Sequence, residues 1–149
     1  MPLRILVIDD DHNALNYVRY VVNQQFPTAH VECRERPDAS GRFDVYLVDN
    51  DFGGNRIAAR LTEEVRLVNP DALIVAFSAS LDTGSLKALL NAGCDAVADK
   101  SDVEEQRFLL DMIGRYQDVY QRRPKLSTIQ SIRSLLHQWR APIEAGVHK

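Results

Sequence analysis

Cysteine is nearly absent from this 149-residue chain: Cys33 and Cys94 stand far apart and form no C-x-x-C pair. That excludes a disulfide framework and leaves two reduced thiols of the kind a cytoplasmic protein carries. Long apolar runs are missing too. The longest reach about six residues, far short of the ~20 that a membrane helix needs, so no bilayer span is expected. The opening Met1-Pro2-Leu3-Arg4 leads into a short apolar run that ends in three aspartates, without the stretch or cleavage site of an export signal. Internal repeats, low-complexity segments, zinc-finger spacings and aromatic RNA-binding patterns are likewise lacking.

What remains is an ordinary globular balance, 45% hydrophobic and 26% charged, of a size for a single domain plus a small appendage. The net charge of −3 is unevenly spread. Residues 115–149 carry seven Arg/Lys against two acids, a net of +5, and residues 1–114 carry eleven against nineteen, a net of −8. An acidic body with a basic tail suggests two regions, placed at 1–123 and 124–149.

Arg4 to Asp9, Asp44 to Asp49 and Ala72 to Ser78 are continuous apolar runs, the signature of strands buried on both faces. Val31 to Arg34 and Asp95 to Asp99 read as shorter strands. Helical spacing recurs through Ala14–Val22, ended by Pro27, through Ile57–Val68, ended by Asn69-Pro70, and through Leu86–Ala92, with Gly93 just beyond. Ser101 and Glu104 form a capping box opening a long helix to about Arg123. Five alternations of strand and helix predict an α/β fold, a doubly wound, flavodoxin-like parallel sheet of five strands.

In such a sheet, ligands bind beyond the carboxyl ends of the strands, where strand order reverses. There the sequence places Asp9-Asp10, Asp49, Ser78 and Lys100, each directly at or after a strand end. Three converging carboxylates repel one another unless neutralised, and a hard divalent cation such as magnesium does this while bridging to phosphate. A carboxylate can then attack phosphorus while a lysine and a hydroxyl hold the phosphoryl oxygens. Taken singly, Asp10 or Asp11 reads equally as a helix cap, Ser78 as a turn hydroxyl and Lys100 as a solvated surface lysine. The ordered set is what carries the signal.

With these residues the chain, over about 3–122, resembles the response-regulator receiver family of two-component signalling; Ala79 matches a small residue common after Ser78. The resemblance implies a sheet of order 2-1-3-4-5 and phosphorylation of Asp49 by a histidine kinase or a phosphotransfer protein. It implies Mg2+ bound directly by Asp10 and Asp49, by Asp9 through water and by the main-chain carbonyl of Asp51, with Ser78 and Lys100 contacting the phosphoryl group. The protein would then be a phosphoacceptor rather than an enzyme acting on other substrates, signalling to an unidentified downstream protein or passing the group along a phosphorelay, in the cytoplasm.

Several positions depart from the family pattern. Ser101 stands where proline usually follows the lysine and favours a cis peptide. Val97 stands where an aromatic ring usually swings to couple phosphorylation to output. Only ten residues, Arg34 to Phe43, separate the second and third strands, and Arg36-Pro37-Asp38-Ala39-Ser40-Gly41 is poor helix material. A stunted or missing second helix is therefore expected, uncovering part of the sheet or opening a groove. Asp51 adds a fourth acid near the metal in a glycine-rich loop, and is expected to alter the lifetime of the phosphoryl group.

Beyond Pro124, Ser127-x-x-Gln130 opens a further amphipathic helix with Ile129, Ile132, Leu135, Leu136 and Trp139 on one stripe. It is expected to pack on the receiver body or on a second copy, giving a homodimer, with docking onto another protein as the alternative; nucleic acid is not an expected partner. Two other readings of the chain stand beside the main one. One is a degenerate receiver that binds partners without phosphorylation. The other is a haloacid-dehalogenase-like phosphatase, in which Asp49 and Asp51 form the D-x-D pair, although that family places D-x-D on its first strand and a separate metal-binding acid pair after the lysine, whereas here the pair Asp9-Asp10 comes first.

Overall fold

The computed structural model describes residues 2–79 and 81–122. Met1–Gln117 forms one compact unit. The expected helix of the basic tail lies outside the described residues.

The chain opens with β1 (Arg4–Ile8) and α1 (His12–Gln25), followed by β2 (His30–Arg34) and β3 (Val45–Val48). A small hairpin of β4 (Asp51–Phe52) and β5 (Asn55–Arg56) precedes α2 (Ala58–Val68). Then come β6 (Leu73–Ser78), α3 (Thr83–Ala92), β7 (Ala96–Asp99) and α4 (Val103–Arg122). The main sheet is wholly parallel, in the order β2-β1-β3-β6-β7. This is the expected flavodoxin-like order 2-1-3-4-5, counted over the five strands of that sheet.

The continuous apolar runs form the centre of the sheet because both faces are covered. Every residue of β3 and β6 is buried, whereas the edge strands β2 and β7 are only partly so. One face packs Leu6, Ile8, Tyr46, Val48 and Ile74 against Leu61 and Val65 of α2 and Leu89 of α3. The other packs Ile5, Val7, Leu47 and Val75 against Leu15, Val18 and Val22 of α1 and Leu109 and Ile113 of α4. No helix among the described residues is long and apolar enough to cross a membrane.

The second crossover contains no helix, as its composition predicts. Residues 35–44 instead fold back as a loop, and Ala39 and Phe43 fill the place on the sheet that a helix would cover. Arg34 pins this loop from within, its Nη1 donating to the carbonyls of Asp38 (3.0 Å) and Ser40 (2.7 Å). An open groove of about 410 Å³ remains between the loop and α2, lined by Asp38, Ala39, Ser40, Gly41, Glu64, Val65 and Val68.

Helix ends follow local chemistry, with one correction. The side chain of Asp11 accepts the Asn13 N–H at 2.9 Å and caps α1, and Gly93, in the left-handed region at φ 99°, ends α3. The expected Ser101 cap of α4 does not form. The Asp102 carboxylate accepts the Glu104 N–H at 2.9 Å, while the Ser101 hydroxyl and N–H both turn back to Asp99. An ionised acceptor next door makes the stronger bond. No peptide bond among the described residues is cis.

Candidate functional site

The strand register brings the site together. Ile8 and Val48 are level neighbours on β1 and β3, so the next residues, Asp9 and Asp49, leave the sheet side by side. On β6, Ser78 lies two residues past Ala76, the partner of Val48, and pairs with Asp99 of β7; Lys100 follows. β1 is the strand at which the chain order reverses, between β2 and β3, and the crevice above it is where an open parallel sheet takes ligands. Asp9, Asp10, Asp11, Asp49, Asp51, Ser78, Ala79 and Lys100 line a single open cleft of about 210 Å³ there.

Within the cleft, one carboxylate oxygen from each of Asp9, Asp10 and Asp49 lies within 4.8 Å of the others. Asp9 and Asp49 are almost fully buried and Asp10 is exposed. Burial pushes the Asp9 carboxyl above the ordinary aspartate range, opposed by its hydrogen bonds from Lys100 and from the Asp11 N–H. Lys100 forms an ion pair with Asp9 and stands 3.4 Å from Asp49. Ser78 is buried at the wall of the cleft.

Further contacts hold these groups in place. The Lys100 carbonyl accepts from Gln106 Nε2 at 3.1 Å, and Gln106 Oε1 accepts the Tyr17 hydroxyl at 3.0 Å, tying α4 to α1 beneath the lysine. Asn50 is buried; its carbonyl accepts the Ile57 N–H (3.1 Å) and its side-chain oxygen the Ala58 N–H (3.3 Å), so it caps α2 from beside Asp49. Asp10 Oδ2 accepts the Gly53 N–H at 3.2 Å, and Asp51 Oδ1 accepts the Gly54 N–H at 3.0 Å. Tyr17, Asn50 and Gln106 are not flagged by sequence. Asn50 had only its place beside Asp49 to recommend it, and Gln106 lies on a helix six residues past the lysine.

Hard oxygen donors in this number suit magnesium better than a soft metal, so the residues present fit that ion. Among the described residues, Lys100 is the only basic one lining the cleft. Replacing it with methionine, which keeps the stem, should therefore leave Asp9 buried beside Asp49 without its partner. The expected cost is roughly 3 kcal/mol in urea unfolding without magnesium, largely restored by saturating magnesium. Equal unfolding midpoints without magnesium would show that the ion pair contributes nothing to the fold.

No protein-family profile matches the chain, and no curated protein does. Solved structures match widely. The beryllofluoride-activated receiver domain of DrrB is 21% identical, covers 79% of this chain and 99% of its own, and superposes with a TM-score of 0.67. A CheY-like response-regulator receiver from Methanospirillum hungatei is 19% identical over 79% of this chain and 96% of its own, with a TM-score of 0.67. The chain has the receiver fold. TrrA of Thermotoga maritima, solved with Mg2+ and beryllofluoride, shares it at 21% identity over 78% of this chain and 99% of its own, with a TM-score of 0.63. Across receiver folds so distant in sequence, chemistry has to be argued from this chain's own cleft.

Proposed function

We propose that this chain accepts a phosphoryl group on Asp49 from a histidine kinase or phosphotransfer protein, and signals by binding or releasing a partner or by relaying the group. The observation that carries this reading is the convergence of Asp9, Asp10, Asp49, Ser78 and Lys100 in one cleft above β1 and β3. Asp9, Asp10 and Asp49, with the main-chain carbonyl of Asp51, would hold Mg2+, which supplies charge neutralisation between carboxylate and phosphate.

In this reading an Asp49 carboxylate oxygen attacks the phosphorus, an O–P bond forms and the donor's N–P bond breaks, with the electron pair returning to the donor nitrogen. Lys100 moves from its Asp9 partner toward an incoming phosphoryl oxygen, and the Ser78 hydroxyl donates to another. Hydrolysis later frees Asp49. The chain thus catalyses only its own phosphorylation and dephosphorylation.

The test is incubation of the full chain with magnesium and a small phosphodonor, followed by intact mass. The expected result is a single added phosphate, absent when EDTA removes the metal. A chain that stays unmodified, and whose NMR spectrum does not respond to magnesium with beryllofluoride, would instead be a phosphorylation-independent binding module.

Asp51 bears on how long the group lasts. Asp51 lines the same cleft, two residues past the acceptor. Asp51→Ala is expected to change the dephosphorylation rate several-fold, read by the decay of the added mass after donor removal. Identical decay would take Asp51 out of the chemistry.

A further inference from the structure

We infer that the β4–β5 hairpin couples cation binding at the aspartate cleft to the start of α3, through Gly53 at its tip and Arg56 at its base; this rests on the magnesium reading above. The hairpin touches both places. Its Gly53 N–H donates to Asp10 Oδ2, one of the three converging carboxylates. Its Arg56 forms an ion pair with Asp82, and Asp82 is the cap of α3, where its Oδ1 accepts the Ser85 N–H at 2.7 Å.

Backbone pairing links the tip of the hairpin to its base. Gly53 and Gly54 sit at φ 57° and 86°, the double positive-φ turn that matches the twist of a two-residue hairpin. Asp51 pairs with Arg56 and Phe52 with Asn55 across it, and Phe52 is buried in the core. A cation drawing on Asp10 competes with the Gly53 N–H for the same carboxylate, so occupancy acts on the tip of the hairpin. Movement there reaches Arg56 through the paired backbone. The Arg56 and Asp82 side chains are 63% and 51% exposed, so the pair is weak and readily exchanged, as a reversible coupling requires. Val97, the position from which the family's aromatic ring would act, is partly buried and carries no ring. The hairpin provides a connection that does not depend on one.

The experiment is a magnesium titration of the full chain followed by amide NMR, in wild type, Arg56→Gln and Asp82→Asn. Asparagine caps a helix about as well as aspartate, so the second variant removes the charge and keeps the cap. In the wild type, the Ser85 amide should shift with the same midpoint as Gly53. In both variants Gly53 should still respond and the Ser85 shift should fall by at least half. A Ser85 response that persists undiminished in both variants overturns the coupling. So does a wild-type Ser85 amide that ignores magnesium while Asp10 and Asp49 respond. If no cleft amide responds to magnesium, the cation reading and the coupling fall together.

Discussion

Asp49→Asn is expected to take up no phosphate from a small donor under conditions that fully modify the wild-type chain. Asparagine has nearly the same shape, so the loss would be chemical. The amide lacks the anionic oxygen that attacks phosphorus and contributes one fewer charge to the cation. Magnesium affinity should fall by at least about tenfold, ~1.4 kcal/mol, when a converging carboxylate is neutralised. Stability without metal should not fall with it. Asp49 and Asp9 are both buried beside a lone lysine, and removing one negative charge relieves repulsion between them. Loss of phosphate uptake with an undiminished urea midpoint is therefore the expected pair of results. Continued uptake by Asp49→Asn would place the acceptor elsewhere in the cleft, with Ser78 the first residue to map.

The parts of this molecule that could be read in advance share a physical cause. β1, β3 and β6 are buried on both faces, so nearly every residue in them must be apolar, and their ends are marked by the first polar side chain. Those end residues are most of the candidate site, which is why Asp9, Asp49 and Ser78 are legible together; Lys100 follows the partly buried edge strand β7 and is read from its place in the ordered set. In the sequence the hairpin reads only as a glycine-rich loop, because strands of two residues have no periodicity to detect. The cap of α4 was misplaced by one residue because Ser101 and Asp102 are both good caps, and Ser101 is drawn to Asp99. The supports of the site were invisible for a different reason. Tyr17 meets Gln106 across 89 positions of sequence, and Arg56 meets Asp82 across 26. Neither pairing follows from any local pattern.

The helix-free second crossover leads to the other large effect: Phe43→Ala should destabilise the fold by about 4 kcal/mol, the middle of the usual range for losing a buried aromatic. Three kinds of contact meet at this ring. It is 4% exposed in the core, and meets Tyr46 edge-on at 5.7 Å. Arg4 and Arg34 guanidinium carbons lie 4.9 and 5.4 Å from its centroid, each such contact adding on the order of 0.5–1 kcal/mol. Its backbone is held as well, the N–H donating to the Tyr46 hydroxyl and the carbonyl accepting from buried Asn69 at 2.7 Å. With no helix over this part of the sheet, the ring stands in for the missing side chains, and few neighbours are free to collapse into the space it leaves. Phe43→Leu should recover more than half of the loss. Phe43 precedes β3, whereas Asp49 follows it, so the two lie at opposite ends of a strand and about 15 Å or more apart. The alanine variant, while folded, should therefore bind magnesium as the wild type does. A loss below about 1 kcal/mol in urea unfolding would mean that the loop lies on the sheet without supporting it, and that α2 and α3 alone sustain that face.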